Sequence, residues 1–268
     1  MFISIEGNIS AGKSEWCKRF QVHQSAKNVR VFVSEEVEFE RFLKPFVDDP
    51  KEYACMFQTH MHHVYVRRIT ECKQTLQNFN HVIMDRGSGT WAFCTVQNRL
   101  GYISDGQMAL LRVLMSDLYE AMLCSSSGFP MYVYCNAKPK TCYERIRVRN
   151  REGELELTLE YLEHIHRAHV AQILIASIHD TWTLPCVVDF DGDRVHPDEL
   201  SRVVALHQDY MSVVSVHVPQ PVRNMSHKQI EDAVFNMNED RLDTILALFV
   251  PDNYMKRENT IIIPDISQ

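Results

Sequence analysis

A run of eight residues near the start of the sequence has the composition and spacing of a loop that binds phosphate groups. The residues are Gly7, Asn8, Ile9, Ser10, Ala11, Gly12, Lys13 and Ser14. Gly7 and Gly12 allow the tight turns that point backbone N–H groups at phosphate oxygens, and a helix after the loop adds the positive end of its dipole. Lys13 can reach the outer phosphates, and the Ser14 hydroxyl can bind Mg²⁺. We therefore predict a nucleoside triphosphate site at this loop.

Two carboxylates follow other strand-like segments of the sequence. Glu35 and Asp85 each come directly or almost directly after a short apolar run. Glu35 can take the proton of a hydroxyl that attacks the γ-phosphorus, although its residue type alone also fits a carboxylate in water. Asp85 can bind Mg²⁺ through water, and the neighbouring Arg86 can orient a reacting oxygen. Taken alone, the Asp-Arg pair also fits a surface salt bridge.

Four arginines lie within seven residues at the end of a predicted helix. They are Arg145, Arg147, Arg149 and Arg151. Such a cluster can clamp a phosphoryl group during its transfer, and the alternative is a solvated helix face. The chain carries a net charge of −7, so a local concentration of arginine favours the clamp.

The pattern of apolar segments predicts the fold that positions these residues. Short runs rich in β-branched and aromatic residues predict five strands, at residues 2–5, 29–33, 81–84, 131–134 and 186–188. Helical periodicity between and after them covers residues 52–77, 106–123, 138–148, 158–178 and 197–211. The alternation predicts an α/β protein with a five-stranded parallel sheet flanked by helices, the P-loop NTPase fold with an arginine-rich lid. Ligands in such sheets bind beyond the carboxyl ends of the strands, where the charged residues lie.

The composition of the sequence excludes several other classes of protein. The 268 residues are 45% hydrophobic, which is ample for a packed core. The sequence has no run of eighteen apolar residues, and its phosphate loop begins close to Met1, so we expect neither a membrane span nor a targeting peptide and predict a cytoplasmic protein. The negative net charge argues against nucleic acid and anionic membranes as partners. Eight scattered cysteines without Cys-x-x-Cys spacing argue against a zinc ribbon and a disulfide framework.

Taken together, the motifs resemble those of the deoxyribonucleoside kinases, which transfer phosphate from ATP to the 5′-hydroxyl of a deoxynucleoside. The similarity extends from Ile3 to Met211. The motifs that carry it are Glu6 to Ser14, Glu35-Glu36-Val37, Phe57-Gln58-Thr59, Asp85-Arg86-Gly87 and the lid sequence Cys142 to Arg151.

The resemblance implies roles for individual residues. Glu35 would be the catalytic base, with Arg86 as its partner at the 5′-oxygen. Gln58, beside Phe57, would read the edge of the nucleobase, for which an amide with one acceptor and two donors is suited. The lid residues Arg145, Arg149 and Arg151 would contact ATP phosphates, and Glu154 would bind the sugar 3′-hydroxyl. The expected cofactor is Mg²⁺ with ATP as donor, held by Ser14 and Asp85, and the expected assembly is a homodimer.

Three positions depart from the family pattern. Val47 stands where the family usually has a tyrosine that shares the 3′-hydroxyl with the lid glutamate. Tyr65 and Trp91 stand near the expected base pocket, where other members have smaller or charged residues. Two bulky rings without a fixed charge favour a single-ring base. We therefore predict a pyrimidine substrate, thymidine before deoxycytidine, and a 5′-monophosphate product for nucleotide salvage.

Two other functions stay open on the sequence. A thymidylate kinase shares the loop and an Asp-Arg motif, but its acceptor phosphate needs a cation, typically an arginine, where this chain has Ser34. A non-catalytic nucleotide-binding subunit would have no need of the residues of the catalytic set. All of these are present, namely Lys13, Ser14, Glu35, Asp85 and Arg86.

The last part of the chain lies outside the resemblance. We divide the chain into a kinase domain at residues 1–212 and a C-terminal extension of unknown role at residues 213–268. Pro219 and Pro221 predict a linker, residues 228–249 a helix and residues 260–263 a short strand. The helix is too apolar on one face to remain in water, so we expect it to pack on the kinase body or on a partner chain.

Overall fold

Five parallel strands form the centre of the molecule. In the computed structural model they are β1 (Phe2–Gly7), β2 (Val29–Phe32), β3 (His81–Asp85), β4 (Met131–Asn136) and β5 (Pro185–Asp189), in the spatial order β2-β3-β1-β4-β5. The structure describes residues 2–24, 29–32, 36–76, 81–123, 131–179, 185–189, 214–250, 252–253 and 260–267. The five predicted strands and the parallel sheet are confirmed.

The central strand places the phosphate loop in the middle of the sheet edge. β1 lies between β3 and β4, and its side chains are buried on both faces, with Ile3 and Ile5 on one face and Ser4 and Glu6 on the other. A parallel strand with helices on both sides of its sheet is buried in this way. The loop that follows β1 therefore has the carboxyl ends of β3 and β4 as its immediate neighbours.

Helices cover this sheet. They are α1 (Lys13–Gln24), α2 (Glu36–Asp48), α3 (Pro50–Leu76), α4 (Trp91–Arg99), α5 (Asp105–Leu123), α6 (Pro139–Arg149) and α7 (Leu159–His179). The helices predicted at residues 52–77, 106–123, 138–148 and 158–178 are confirmed to within two residues at each end. The helix predicted at residues 197–211 lies outside the described residues.

The C-terminal extension forms a small α/β unit. Its elements are β6 (Ser215–His217), α8 (Gln220–Arg223), α9 (His227–Phe235), α10 (Glu239–Leu248) and β7 (Thr260–Ile262), and β6 pairs with β7 in parallel. The strand predicted near residue 260 is confirmed.

Two predictions for the extension are wrong. The segment with Pro219 and Pro221 is the start of α8, because proline is tolerated in a first helical turn, where backbone N–H groups have no helical partner. The single helix predicted at residues 228–249 is two helices. Asn236 ends α9, and the Asn238 side chain caps α10 by accepting a hydrogen bond from the Arg241 N–H at 2.9 Å.

The extension packs on the kinase body. Ile230, Leu242 and Ile261 share one buried apolar cluster with Tyr134 of β4 and Val187 of β5. The Val187 N–H also donates to the carbonyl of Phe249 at 3.0 Å. The apolar faces of the extension are therefore covered within this chain, as the amphipathic pattern requires.

Two expectations from composition can be examined in the part of the chain that is described. Among the described residues, Cys17, Cys55, Cys94, Cys135, Cys142 and Cys186 take part in no disulfide, and all of these except the half-buried Cys55 are buried. Within the same residues, no helix has both the length and the hydropathy needed to cross a membrane.

Candidate active site

The phosphate loop connects β1 to α1 in a conformation that its glycines permit. Gly7 has φ +148° and Gly12 has φ +98°. A Cβ at position 7 would lie 2.9 Å from the carbonyl oxygen of Cys135 on β4, so a larger residue is excluded by space as well as by conformation. Ser10 also has a positive φ, 61°. The sequence therefore folds here into a tight loop that begins at the centre of the sheet edge.

Lys13 is buried inside the curve of this loop. Its ammonium donates to the carbonyl of Asn8 at 2.5 Å. The Asn8 side chain in turn donates to the Leu162 carbonyl on α7 at 2.8 Å, which ties the loop to that helix. Burial, followed by the positive charge of Arg86, lowers the pKa of Lys13 to about 8, while Asp85 opposes this effect. An anionic phosphate bound in the loop would stabilise the charged form of this buried side chain.

Ser14 and Asp85 bring two oxygen ligands together. The Ser14 hydroxyl donates to the Asp85 carboxylate, which is 1% exposed at the end of β3. Hydroxyl and carboxylate oxygens at the mouth of a phosphate loop are the donor set that Mg²⁺ prefers. The residues present therefore fit the expected metal ion.

Arg86 is held beside the beginning of the phosphate loop. Its φ of 68° is unusual for a residue with a side chain, and its N–H donates to the Ile5 carbonyl at 3.0 Å. The guanidinium donates to the Gly7 carbonyl at 3.1 Å and lies 4.6 Å from the ring centre of Phe93. These contacts fix the arginine at the junction between the phosphate loop and the rest of the cavity.

A buried carboxylate shapes the turn after Arg86. Glu6 accepts hydrogen bonds from the N–H groups of Gly87 and Gly89, at 2.7 Å and 3.0 Å, and from the Ser4 hydroxyl. Burial raises the pKa of Glu6, with these donors and Arg86 opposing it. A Cβ at Gly87 would lie 2.8 Å from the Ser4 hydroxyl oxygen, so Ser4 accounts for glycine at this position of the motif.

The lid arginines divide into two groups. Arg145, Arg149 and Arg151 line the cavity, whereas Arg147 turns away from it and donates to the Leu155 and Leu157 carbonyls and, at 2.9 Å, to the Tyr143 hydroxyl. The division follows from helical geometry, because residues two apart on a helix point in different directions. Three of the four arginines are thus presented to one cavity.

Glu154 is the buried counterion of the lid. It is 4% exposed and pairs with Arg149 and, at 3.4 Å, with Arg151. Asn150 ends α6 in the left-handed conformation, with φ 52°, and so turns the chain back toward the cavity. Glu154 therefore lines the same cavity as the arginines expected at ATP and is paired with two of them.

Much of the remaining cavity wall is apolar, with a few polar groups. The cavity has a volume of about 340 Å³. Phe57 stacks on Phe46 at 5.3 Å, and both line the cavity with Met61 and Tyr65. The polar groups are the amides of Gln58 and Gln97, joined by a 3.1 Å hydrogen bond. Apolar walls with few convergent polar groups are typical of a site for a small organic ligand.

Not every predicted site residue reaches the cavity. Val47 and Trp91 are absent from its lining among the described residues and pack against the main core instead. Glu35 lies outside the described residues, so its prediction stays untested by the structure. The ring expected from Trp91 is supplied by Phe93, which does line the cavity.

Sequence reasoning missed several polar and aromatic lining residues, among them Phe93, Gln97 and Tyr161. Phe93 and Gln97 lie four residues apart on α4, and Tyr161 lies on α7. The signal for the first two was the helical spacing after Asp85-Arg86-Gly87, which puts both side chains on one face. Tyr161 belongs to the segment Leu159-Glu160-Tyr161-Leu162, which follows the lid and is part of the family resemblance, but the resemblance assigned it no role.

Residues 3–213 match the deoxynucleoside kinase family. The chain belongs to this family.

Two relatives show the range of substrates within the deoxynucleoside kinases. The chain is 32% identical to a thymidine kinase of Ictalurid herpesvirus 1, over 75% of this chain and 83% of the viral protein. It is 26% identical to a protein of Fowlpox virus named a probable deoxycytidine kinase, over 80% of this chain and 88% of that protein. The deoxyadenosine kinase from M. mycoides with bound dATP shares the fold, with a TM-score of 0.58, 22% identity, and coverage of 76% of this chain and 99% of that one.

Membership of the deoxynucleoside kinase family establishes the class of reaction. The protein is a kinase that phosphorylates nucleosides with ATP. The names of its relatives include pyrimidine and purine kinases, so the base must be argued from the residues of the cavity.

Proposed function

We propose that the protein transfers the γ-phosphoryl group of ATP to the 5′-hydroxyl of a pyrimidine deoxynucleoside, thymidine before deoxycytidine. The observation that carries the proposal is that one cavity is lined by the phosphate loop, by the lid arginines and by the buried amide of Gln58. A nucleoside whose base contacts Gln58 extends its sugar toward Arg86 and the phosphate loop.

The reaction follows from the positions of these groups. The 5′-oxygen attacks the γ-phosphorus, the bond from phosphorus to the bridging oxygen breaks, and ADP leaves. Glu35 takes the hydroxyl proton, while Arg86 aligns the attacking oxygen. Lys13, Arg145, Arg149 and Arg151 stabilise the negative charge on the phosphate oxygens. Ser14 and Asp85 would hold Mg²⁺, which would supply further neutralisation of charge at the phosphates.

The preference for a pyrimidine rests on the aromatic lining of the cavity. Tyr65 is 1% exposed, and Tyr65 and Phe93 line the cavity with Gln58, so we expect two rings to narrow the space for the base. A single-ring base fits this space better than a purine. The Gln58 amide can accept from the N–H of thymine and donate to its adjacent carbonyl.

A panel of substrates tests the proposal. ATP consumption is coupled to a spectrophotometric readout with the four deoxynucleosides and their monophosphates as acceptors. We expect thymidine to give the highest kcat/KM, deoxycytidine the next, and purines and monophosphates low values. A preference for deoxyadenosine or deoxyguanosine contradicts the base assignment, and a preference for thymidylate over thymidine would establish a monophosphate kinase.

The assembly is a separate prediction. We propose a homodimer, which sedimentation equilibrium of the full chain tests directly. A single species at the 31.3 kDa mass of one chain would rule it out.

A further inference from the structure

Three buried polar side chains form a chain of hydrogen bonds along one wall of the cavity. Gln58 donates from its amide nitrogen to the oxygen of Gln97 at 3.1 Å, and Gln97 donates from its own nitrogen to the Tyr161 hydroxyl at 3.4 Å. Gln58 is 3% exposed and Gln97 is fully buried. All three residues line the cavity. We call the hydrogen-bonded set Gln58, Gln97 and Tyr161 the amide relay.

The amide relay leaves one atom of Gln58 without a protein partner. The Gln58 side-chain oxygen is buried and accepts no hydrogen bond from the described residues. A buried acceptor without a donor is costly, on the order of 1–3 kcal/mol, and is relieved when a ligand supplies the donor. Because Gln58 lines the cavity, we expect a ligand there to supply a donor to this oxygen and to accept from the second N–H of the amide.

The amide relay also determines which atom of the Gln58 amide, the nitrogen or the oxygen, faces Gln97. If Gln58 rotated by half a turn, its oxygen would face the oxygen of Gln97, and two acceptors repel. Gln97 would then have to rotate as well, which would turn its oxygen toward the Tyr161 oxygen. Burial raises the pKa of Tyr161, so its hydroxyl keeps its proton. To bond to the Gln97 oxygen, this hydroxyl would have to rotate and donate that proton. Reversing Gln58 thus requires three buried groups to change together.

We propose that Gln97 is a specificity-determining residue, which selects thymine over cytosine by fixing the orientation of the Gln58 amide. This inference rests on the proposed function and extends it. Thymine presents an N–H donor beside a carbonyl acceptor, which matches the fixed oxygen and N–H of Gln58. Cytosine in the same position presents a bare ring nitrogen where thymine has its N–H, so it meets the Gln58 oxygen with a second acceptor. Phosphorylation of deoxycytidine then needs the whole relay to reverse.

The test is Gln97→Met, which keeps the length of the side chain and removes both its donor and its acceptor. The measured quantity is the kcat/KM for thymidine divided by the kcat/KM for deoxycytidine, taken on one preparation. Because the same preparation serves both substrates, any loss of folded enzyme cancels in the ratio. We expect the ratio to fall roughly tenfold, the scale of one misplaced hydrogen bond, mainly through better use of deoxycytidine.

Two companion variants separate the relay from general effects on α4. Tyr161→Phe removes the far end of the relay and should lower the ratio by a smaller factor. Thr95→Val changes a polar α4 side chain whose hydroxyl contacts Glu231 at 3.4 Å, and should leave the ratio unchanged. An unchanged ratio in Gln97→Met overturns the proposal, as does a wild-type enzyme that prefers deoxycytidine to thymidine. Absence of any nucleoside phosphorylation by the wild type would instead refute the proposed function.

Discussion

Arg147 and Arg149 have the same charge and lie two positions apart, but their surroundings assign them different tasks. Arg149 lines the cavity and pairs with Glu154. Arg147 binds backbone carbonyls of the segment after the lid and lies 4.5 Å from the ring centre of Tyr143. The first arginine is placed to act on a ligand, and the second to hold the lid together.

Replacing these two arginines should therefore give different results. In Arg149→Ala we expect kcat to fall by roughly 10- to 1000-fold with little change in the KM for the nucleoside, because the lost charge acts on oxygens whose charge shifts during transfer. Steady-state kinetics with each substrate varied measures this. In the matched variant Arg147→Ala the melting temperature should fall more than in Arg149→Ala. A loss of nucleoside affinity with unchanged kcat would place Arg149 outside the ATP site.

Glu35 provides a second prediction at the level of a single side chain. Glu35→Gln keeps the shape and removes the base, so turnover should fall at least on the order of 100-fold while the affinity for ATP is nearly unchanged. Rapid-quench turnover and equilibrium nucleotide binding measure the two quantities. Glu36→Gln, at the adjacent position, is the matched control and should retain activity. Normal turnover in Glu35→Gln would remove it from the role of base.

Among the secondary-structure elements, α4 links the cavity to the C-terminal extension. Its Phe93 and Gln97 face the cavity, while Arg99 pairs with Asp232 at 2.5 Å and lies 4.0 Å from the ring centre of Phe235 on α9. The ion pair is partly exposed and by itself contributes little. The stronger attachment of α9 comes from α7.

Arg167 of α7 supplies that attachment. Its guanidinium donates to the carbonyls of Val234, Phe235 and Met237, at 3.2, 3.4 and 2.6 Å, and so caps the end of α9. In Arg167→Met these carbonyls lose a charged donor, which should lower the free energy of unfolding by about 2 kcal/mol. Because α4 and α7 carry cavity residues, the KM for the nucleoside should rise more than the KM for ATP.

Urea denaturation measures the free energy of unfolding of Arg167→Met, and steady-state kinetics measure its KM values for the nucleoside and for ATP. Arg223→Met, which alters an exposed arginine of the same extension, is the control and should change neither quantity. If Arg167→Met matched the wild type in both, the extension would be energetically separate from the site.

The same elements show how far the sequence could predict the structure. The phosphate loop and the five strands follow from local patterns, because Gly spacing and buried parallel strands leave strong signals. By contrast, α2 contains Pro45, which argues against a helix, and α4 has only nine residues. The distance of six residues from Asp85 predicts Trp91 at the cavity, whereas the helix places Phe93 and Gln97 there. Such a choice between neighbouring residues depends on the tertiary orientation of a short helix, which local sequence does not encode.

At the scale of the whole molecule, a buried histidine links stability to pH. His169 on α7 is fully buried, with its Nδ1 2.8 Å from the Tyr132 hydroxyl. Burial, followed by the charges of Arg86, Lys13 and His166, holds the pKa of His169 well below its ordinary value of 6.5. Below that ordinary value the unfolded chain takes up a proton that the folded protein does not. Stability should therefore fall as the pH falls below 6.5, by up to about 1.4 kcal/mol per pH unit from this residue.

His169→Gln tests this contribution. The amide can still bond to the Tyr132 hydroxyl but does not titrate, so the variant should lose less stability than the wild type between pH 7.5 and 5.5. Urea unfolding at several pH values measures the difference, which we expect to be about 1 kcal/mol. Parallel stability curves for the two proteins would show that His169 is not the group responsible.

The core shared by the catalytic body and the extension also sets an order of events during synthesis. Tyr134 and Val187 lie in one apolar cluster with Ile261, Ile263 and Ile266. A ribosome delivers the first two long before the last three, so the nascent chain carries an uncovered apolar surface on β4 and β5 through that interval. Such surfaces are where aggregation starts and where chaperones bind. Closure of this core must wait until residue 266 has left the exit tunnel.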